Sequence, residues 1–153
     1  MPAQDAHSIE ALRLNALHTL SHEGNYASAM TRLGDLADAM RKQEPANAAL
    51  YYRTSRPIAR LAGNHAGVLN QSVGLAERAC QLDPQNAAYA AELAYQELLL
   101  GNVSSASATL KRAATLEQGS NELLQYNVRC LLAQGELDEA EGQARSASAH
   151  IDT

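Results

Sequence analysis

The feature that most constrains this chain is a spacing. Gly67, Gly101 and Gly135 lie 34 residues apart, and the sequence around the last two repeats with them. Ala106 recurs as Ala140, and Ala113 as Ala147. The segment Leu-Asp-Pro-Gln-Asn at 82–86 returns one period later as Leu-Glu-Gln-Gly-Ser at 116–120. A fixed period of this size marks a stack of helical hairpins, each too small to bury its apolar face alone and each covered by the next. Stacks of this kind present surfaces and rarely perform chemistry.

The hairpins can be placed along the 153 residues. Residues 1–8 read as a flexible N-terminus, with Ser8 suited to cap the helix that follows. Apolar spacing then predicts four helix pairs: Ile9–His22 with Tyr26–Gln43, Asn47–Ala62 with Val68–Leu82, Ala87–Leu100 with Ser104–Glu117, and Asn121–Gln134 with Leu137–Ala149. The repeat array spans 9–153, in units of about 9–45, 46–86, 87–120 and 121–153. Gly24 and the later turn glycines suit the left-handed backbone that ends a helix. The second unit is irregular. Pro45 and Pro84 are 39 residues apart, about five more than the period, and its loop runs from Gly63 to Gly67. Pro57 falls inside its first helix, where a missing donor and a clash with the Arg53 carbonyl predict a kink.

Residue size gives the logic of the repeat. Where the two helices of a pair cross, the second carries a small residue: Ala29, Ser72, Ala106 and Ala140. Leu93 and Asn127, with their neighbours, are expected to pack over the gap. Trp and Phe are absent, so alanine and leucine carry the packing and the helices must approach closely.

Charge and composition exclude several functions. Residues 1–76 hold 7 Lys/Arg against 6 Asp/Glu, and residues 77–153 hold 5 against 11. That balance lacks the concentrated basic surface that nucleic acid requires. No apolar run is long enough to span a bilayer, and Met1–His7 lacks the regions of a secretion signal, so a cytoplasmic location without direct membrane insertion is expected. Cys80 and Cys130 lack CxxC spacing and read as buried thiols in a reducing compartment.

Each candidate for chemistry has a plainer explanation. His18 and His22 have the i, i+4 spacing of a zinc pair, but no third ligand is evident. Two exposed or capping histidines account for them. Glu136, Asp138, Glu139 and Glu141 cluster at a helix start, where the dipole favours negative charge. Tyr89 and Tyr126 suit core positions with the hydroxyl reaching out. No nucleophile arrangement or phosphate loop is present, so the chain reads as no enzyme, with no cofactor, metal or small-molecule substrate.

Several residues go beyond what hairpin geometry demands. Leu82-Asp83-Pro84, Tyr89, Glu92-Leu93, Tyr95-Gln96, Leu98 to Gly101, Ala113, Leu116, Arg129-Cys130, Leu132 and Gly135 to Ala140 form a set. With them, residues 46–145 resemble part of the tetratricopeptide repeat protein 21 family, the large solenoid subunit of intraflagellar transport complex A. Residues 1–45 carry little of the likeness. The resemblance implies an all-α fold, a right-handed α-solenoid of about four tetratricopeptide-type helix–turn–helix units. It implies a scaffold segment that binds protein subunits of a larger complex and supports retrograde transport in the cilium or flagellum. Family members are many times longer, so a fragment is expected. A free-standing peptide-binding adaptor unrelated to cilia is the other reading.

Aligning the units gives candidate partner-binding residues on the concave face, lined by first helices. Tyr52, Arg56 and Arg60 come from the second unit, Tyr95 from the third, and Gln125 and Arg129 from the fourth. Arg53, Arg56 and Arg60 form a basic stripe that suits an acidic peptide or helix, since guanidinium forks grip carboxylates. The same stripe also fits a solvated charged face, or pairing within the chain with acidic neighbours. The Lys, Arg and Asn set with which some tetratricopeptide modules hold chaperone C-termini is not matched: Ala91, Tyr95 and Gln125 stand there, and only Arg129 fits.

Overall fold

The computed structural model describes residues 8–23 and 25–116, and beyond them Gln125, Arg129, Leu132, Gly142 and Ala144, all five in helical conformation. Among the described residues there are six α-helices and no strand. They are α1 (Ile9–His18), α2 (Tyr26–Gln43), α3 (Ala48–Leu61), α4 (Ala66–Leu82), α5 (Ala87–Leu99) and α6 (Val103–Leu116), with a five-residue π-helical turn, Thr19–Glu23, after α1. The chain divides into two compact units, residues 1–82 and 83–153.

Helix starts are set by side-chain caps. Ser8 Oγ accepts from the Ala11 N–H at 3.2 Å. Asn25, Asn47 and Asn86 each accept, through Oδ1, from the amide three residues on, at 3.1, 3.1 and 3.2 Å. The first-turn amides of a helix have no partner within the helix, and asparagine supplies one. His65 does the same for α4, with Nδ1 accepting from the Val68 N–H at 3.2 Å.

That histidine cap explains a departure from the sequence reading. α4 begins at Ala66, so Gly67 belongs to its first turn and is not a turn glycine. The reversal is made by Gly63, at φ 59°. A Cβ at Gly67 would lie 2.8 Å from Met30 Sδ, so this glycine keeps α2 and α4 close. Gly101 is the turn residue the period predicted, at φ 84°. Its N–H donates to Leu98 O and the Asn102 N–H to Glu97 O, the paired bonds of a glycine-terminated helix. Gly24 and Gly135, and the helix pair of 121–149 as a whole, lie outside the described residues apart from the five positions named.

In the first unit, α1 packs on α2 and α3 on α4; α1 also meets α3, and α2 meets α4. The core includes Ala29, Leu33, Leu36 and Met40 of α2, the stripe expected from periodicity, with Tyr51 and Ile58 of α3. The small residue at the α3–α4 crossing is Ser72, fully buried, whose hydroxyl donates to Ser55 O at 2.9 Å. α3 continues through Pro57. Cys80 is half-buried, less enclosed than expected, and Cys130 lies outside the described residues.

In the second unit α5 packs on α6. Ala106 is fully buried in a cluster with Ala90, Ala91, Ala94, Leu110 and Ala113. Alanines thus occupy both sides of this crossing. Leu93 is buried as well.

Candidate partner-binding surface

The sequence of α3 separates into two faces. Tyr51, Thr54, Ser55, Ile58 and Ala59 are buried, following the 3.6-residue repeat. Arg53, Arg56 and Arg60 consequently fall on the exposed face, with Tyr52 half-buried at its shoulder. The Arg56 guanidinium lies over the Tyr52 ring, 5.6 Å from its centroid. That contact orients the cation on an aromatic face and covers part of the ring. Arg60 Nη1 donates to Arg56 O at 3.5 Å. Tyr52, Arg56 and Arg60 are thereby brought together as one basic, aromatic strip.

Arg53 stands apart from that strip electrostatically. Glu10 of α1 has its carboxyl held below the ordinary range. The hydrogen bond from Arg13 is the main cause; Arg13 also acts by charge, as does Arg53, while partial desolvation opposes them. Arg13 grips Glu10 with two nitrogens, at 2.8 and 3.2 Å. Arg53 therefore shares the field of an acidic neighbour.

The other three candidates belong to the second unit. Tyr95 is half-buried and packs, with Leu98, against the alanine cluster of α5 and α6. Part of its surface serves the core. Gln125 and Arg129 are exposed and helical.

His18 and His22 stack on each other, with ring centroids 4.4 Å apart and planes 24° apart. Ser21 Oγ lies 2.8 Å from His22 Nδ1. Both rings are exposed. Among the described residues, no group of three or more His, Cys, Asp or Glu side chains is placed to hold a metal ion. Likewise, no described helix is long and apolar enough to cross a membrane. The acidic residues at 136–141 lie outside the described residues.

Sequence reasoning missed a buried polar set in the second unit. Glu92, Gln96 and Glu97 of α5 are all buried. Gln96 Nε2 donates to Glu92 Oε2 at 2.7 Å, and Thr109 Oγ1 of α6 donates to Glu97 Oε1 at 2.8 Å. Glu92 and Gln96 have the i, i+4 spacing that lets helical side chains meet, which was the available signal. Tyr95 beside them is half-buried, whereas Gln96 points into the protein.

This architecture of paired, capped helices is shared with solved helical-repeat proteins. A crystal structure of MamA matches 99% of this chain and 77% of its own, with a TM-score of 0.67 at 15% identity. TTC0263, a thermophilic TPR protein of Thermus thermophilus, matches 99% of this chain and 78% of its own, with a TM-score of 0.63 at 23% identity. At such identities the likeness establishes the fold class: an all-α solenoid of tetratricopeptide type. The sequence narrows the class to a family. A sequence model of the tetratricopeptide repeat protein 21 second ARM domain matches residues 31–146. Human Tetratricopeptide repeat protein 21B is 36% identical over 140 residues, covering 92% of this chain and 11% of the relative. Mouse Tetratricopeptide repeat protein 21A is 34% identical with the same coverage. The chain belongs to the tetratricopeptide repeat protein 21 family. It spans about a tenth of the length of these relatives. The likeness also reaches further toward the N-terminus than the residues at 46–145 indicated, since the family match begins at Thr31 in α2.

Proposed function

We propose that this chain is a protein-interaction scaffold segment of intraflagellar transport complex A, supporting retrograde transport in the cilium or flagellum. The observation that carries this reading is the 36% identity to Tetratricopeptide repeat protein 21B across 92% of the chain. The fold supports the mechanism: repeats expose long helix faces, and partners bind by complementarity to them. Tyr52, Arg56 and Arg60, with Tyr95, Gln125 and Arg129, form the partner-binding set, and the Arg56–Tyr52 contact presents a preoriented cation to an acidic partner. The partners are protein subunits of the complex. Nucleic acid, a membrane and a small-molecule substrate have no part in it, and the site of action is the cytoplasm, the cilium and its base.

The test is capture from lysate of ciliated cells by the tagged chain, with Arg56→Glu and Arg60→Glu as the variant. Hydrogen bonds to charged groups contribute about 1.5–3 kcal/mol. The variant should therefore reduce recovery of complex subunits by about tenfold or more, while its circular dichroism spectrum is unchanged. Recovery of no transport subunits by the unaltered chain would leave a free-standing adaptor as the better description. Equal recovery by the variant would remove the α3 strip from the interface.

A further inference from the structure

The first unit contains a cleft of about 550 Å³ between α2, α3 and α4. Leu33 and Ala37 of α2 and Leu75 of α4 form its walls, and Tyr51 and Ile58 of α3 also line it. On α4 the lining positions 71, 74, 75 and 78 are spaced i, i+3, i+4 and i+7; on α2, positions 34, 37 and 41 are spaced i, i+3 and i+7. Each set therefore lies on one helix face, and the cleft runs along both helices. At 1.5 Å per residue its walls are roughly 12 Å long on α2, from 33 to 41, and roughly 15 Å on α4, from 71 to 81.

Gly34 and Gly74, one on each wall, are not explained by the chain's own packing. Both lie inside helices, and neither has a positive φ. A Cβ at either would meet nothing within 4 Å. They differ in this from Gly67, which packs against Met30, and from Gly63 and Gly101, which turn the chain. A glycine inside a helix is less stable than an alanine, so both helices give up stability on the faces that line the cleft. What the glycines provide is room, because a side chain at 34 or 74 would narrow the cleft.

The cleft also has a cation at its edge. Arg78 is half-buried and donates to two neutral acceptors, Pro45 O at 3.3 Å and Gln81 Oε1 at 3.4 Å. Pro45 and Gln81 are themselves part of the lining. Among the described residues no carboxylate forms an ion pair with Arg78, whereas Arg41 is paired with Asp38. A guanidinium carries five donors in a planar fork that suits a carboxylate.

We propose that the α2–α3–α4 cleft is a second partner site, receiving an amphipathic α-helix of a partner polypeptide with an apolar ridge and a carboxylate at its flank. The walls dictate the helical form. Both are helices whose backbone groups are bonded internally, so they offer no ladder to an extended segment, which would bury its own amides and carbonyls unpaired. A helix arrives with those groups satisfied and lays residues at i, i+3, i+4 and i+7 into the groove. Two turns match the length of the walls. The ridge enters between the glycines against Leu33, Ala37 and Leu75, and the flanking carboxylate meets Arg78. This assignment rests on the protein-interaction reading of the chain. It is separate from the α3 strip, because Arg53, Arg56 and Arg60 lie on the exposed face of α3 and Tyr51 and Ile58 on its buried face.

The probe is a synthetic peptide, acetyl-SEALAQLLQELAEQ-amide, titrated into the isotope-labelled chain. Its four leucines form one helical ridge, with glutamates beside them. One control has the same composition with the leucines distributed round the helix; another has glutamine for every glutamate. The probe should shift the Gly34 and Gly74 amide resonances and bind at least about tenfold more tightly than the redistributed control, the worth of one buried leucine. It should bind about two- to fivefold more tightly than the glutamine control, the range of a partly exposed ion pair. Arg78→Gln should remove that second preference alone. Gly74→Leu should fill the cleft and abolish the shifts without lowering the melting temperature. Absence of shifts, equal binding of the redistributed control, or undiminished binding by Gly74→Leu would each overturn the proposal. So would movement of the same two resonances on concentrating the chain without peptide, which would make a second copy the occupant. Arg56→Glu/Arg60→Glu should retain peptide binding, so failure of the cleft and failure of the scaffold reading are told apart.

Discussion

The α3–α4 and α5–α6 hairpins obey the same packing rule with opposite chemistry. Both place a small, fully buried residue where the second helix crosses the first: Ser72 in one, Ala106 in the other. At Ser72 the close approach is held by a hydrogen bond to Ser55 O, and the adjoining cleft is left open. At Ala106 it is held by apolar contacts among alanines and Leu110, while the polar groups are gathered on the Glu92, Gln96, Glu97 and Thr109 side chains. The regular hairpin follows the 34-residue period. The irregular one carries the inserted loop, the internal proline, the histidine cap and the cleft. Irregularity within a repeat thus coincides with the residues that ordinary packing does not use.

Substitutions can break this comparison. The largest effect is expected from Ala106→Leu, which adds volume to a crossing with none to spare and should cost about 1–3 kcal/mol. Chemical denaturation reads the loss, and hydrogen exchange should place it in α5 and α6. Next comes Thr109→Val, which removes a donor from the buried Glu97 carboxylate and should cost about 1–3 kcal/mol, toward the lower end. Ser72→Ala, tested beside it, should cost only about 0.5–1.5 kcal/mol, because a serine-to-carbonyl bond is neutral at both ends. Should Ser72→Ala prove the more damaging, the ranking of apolar and polar crossings would be reversed.

Gly74→Ala runs the other way. The position is helical and the new methyl meets nothing, so stability should rise by about 0.5–1 kcal/mol, seen as a higher melting temperature. Gly67→Ala should show little or none of this gain, because its methyl must displace the end of Met30.

The smallest effect concerns pH. Glu10 is held below its ordinary value in the folded chain. Its stabilising contribution is present above that ordinary value and disappears as pH falls through the lowered one. The stability difference between the chain and Glu10→Gln should shrink between about pH 6 and about pH 3, the carboxylate range. A difference that grows on acidification would contradict the Arg13 pairing.

Much of the fold was legible because helical hairpins write themselves locally. The bounds of α2, Tyr26–Gln43, follow from apolar spacing alone. Ala29, Ser72 and Ala106 were identifiable as crossing residues by size and period. Among the candidate residues, Tyr52, Arg56 and Arg60 were recognisable as one helix face for the same reason. The π-helical turn at Thr19–Glu23 was not foreseen: Thr19 is buried, and its hydroxyl is held by Asn15 O and by Arg32 of α2, 13 residues away. The Asn25, Asn47 and Asn86 caps were available in the sequence, at the residue before each helix.

The sequence by itself determined the repeat, the helix faces and the small residues at crossings, because each depends on neighbours within one or two turns. The tertiary structure decided which glycine turns and which one packs, where Gln96 and Glu92 are buried, and that Gly34 and Gly74 leave a cleft floored by Tyr51. Those outcomes depend on residues far apart in the chain meeting across helix boundaries. Spacing along one strand of text gives the direction of a side chain; only the neighbouring helix determines what it meets.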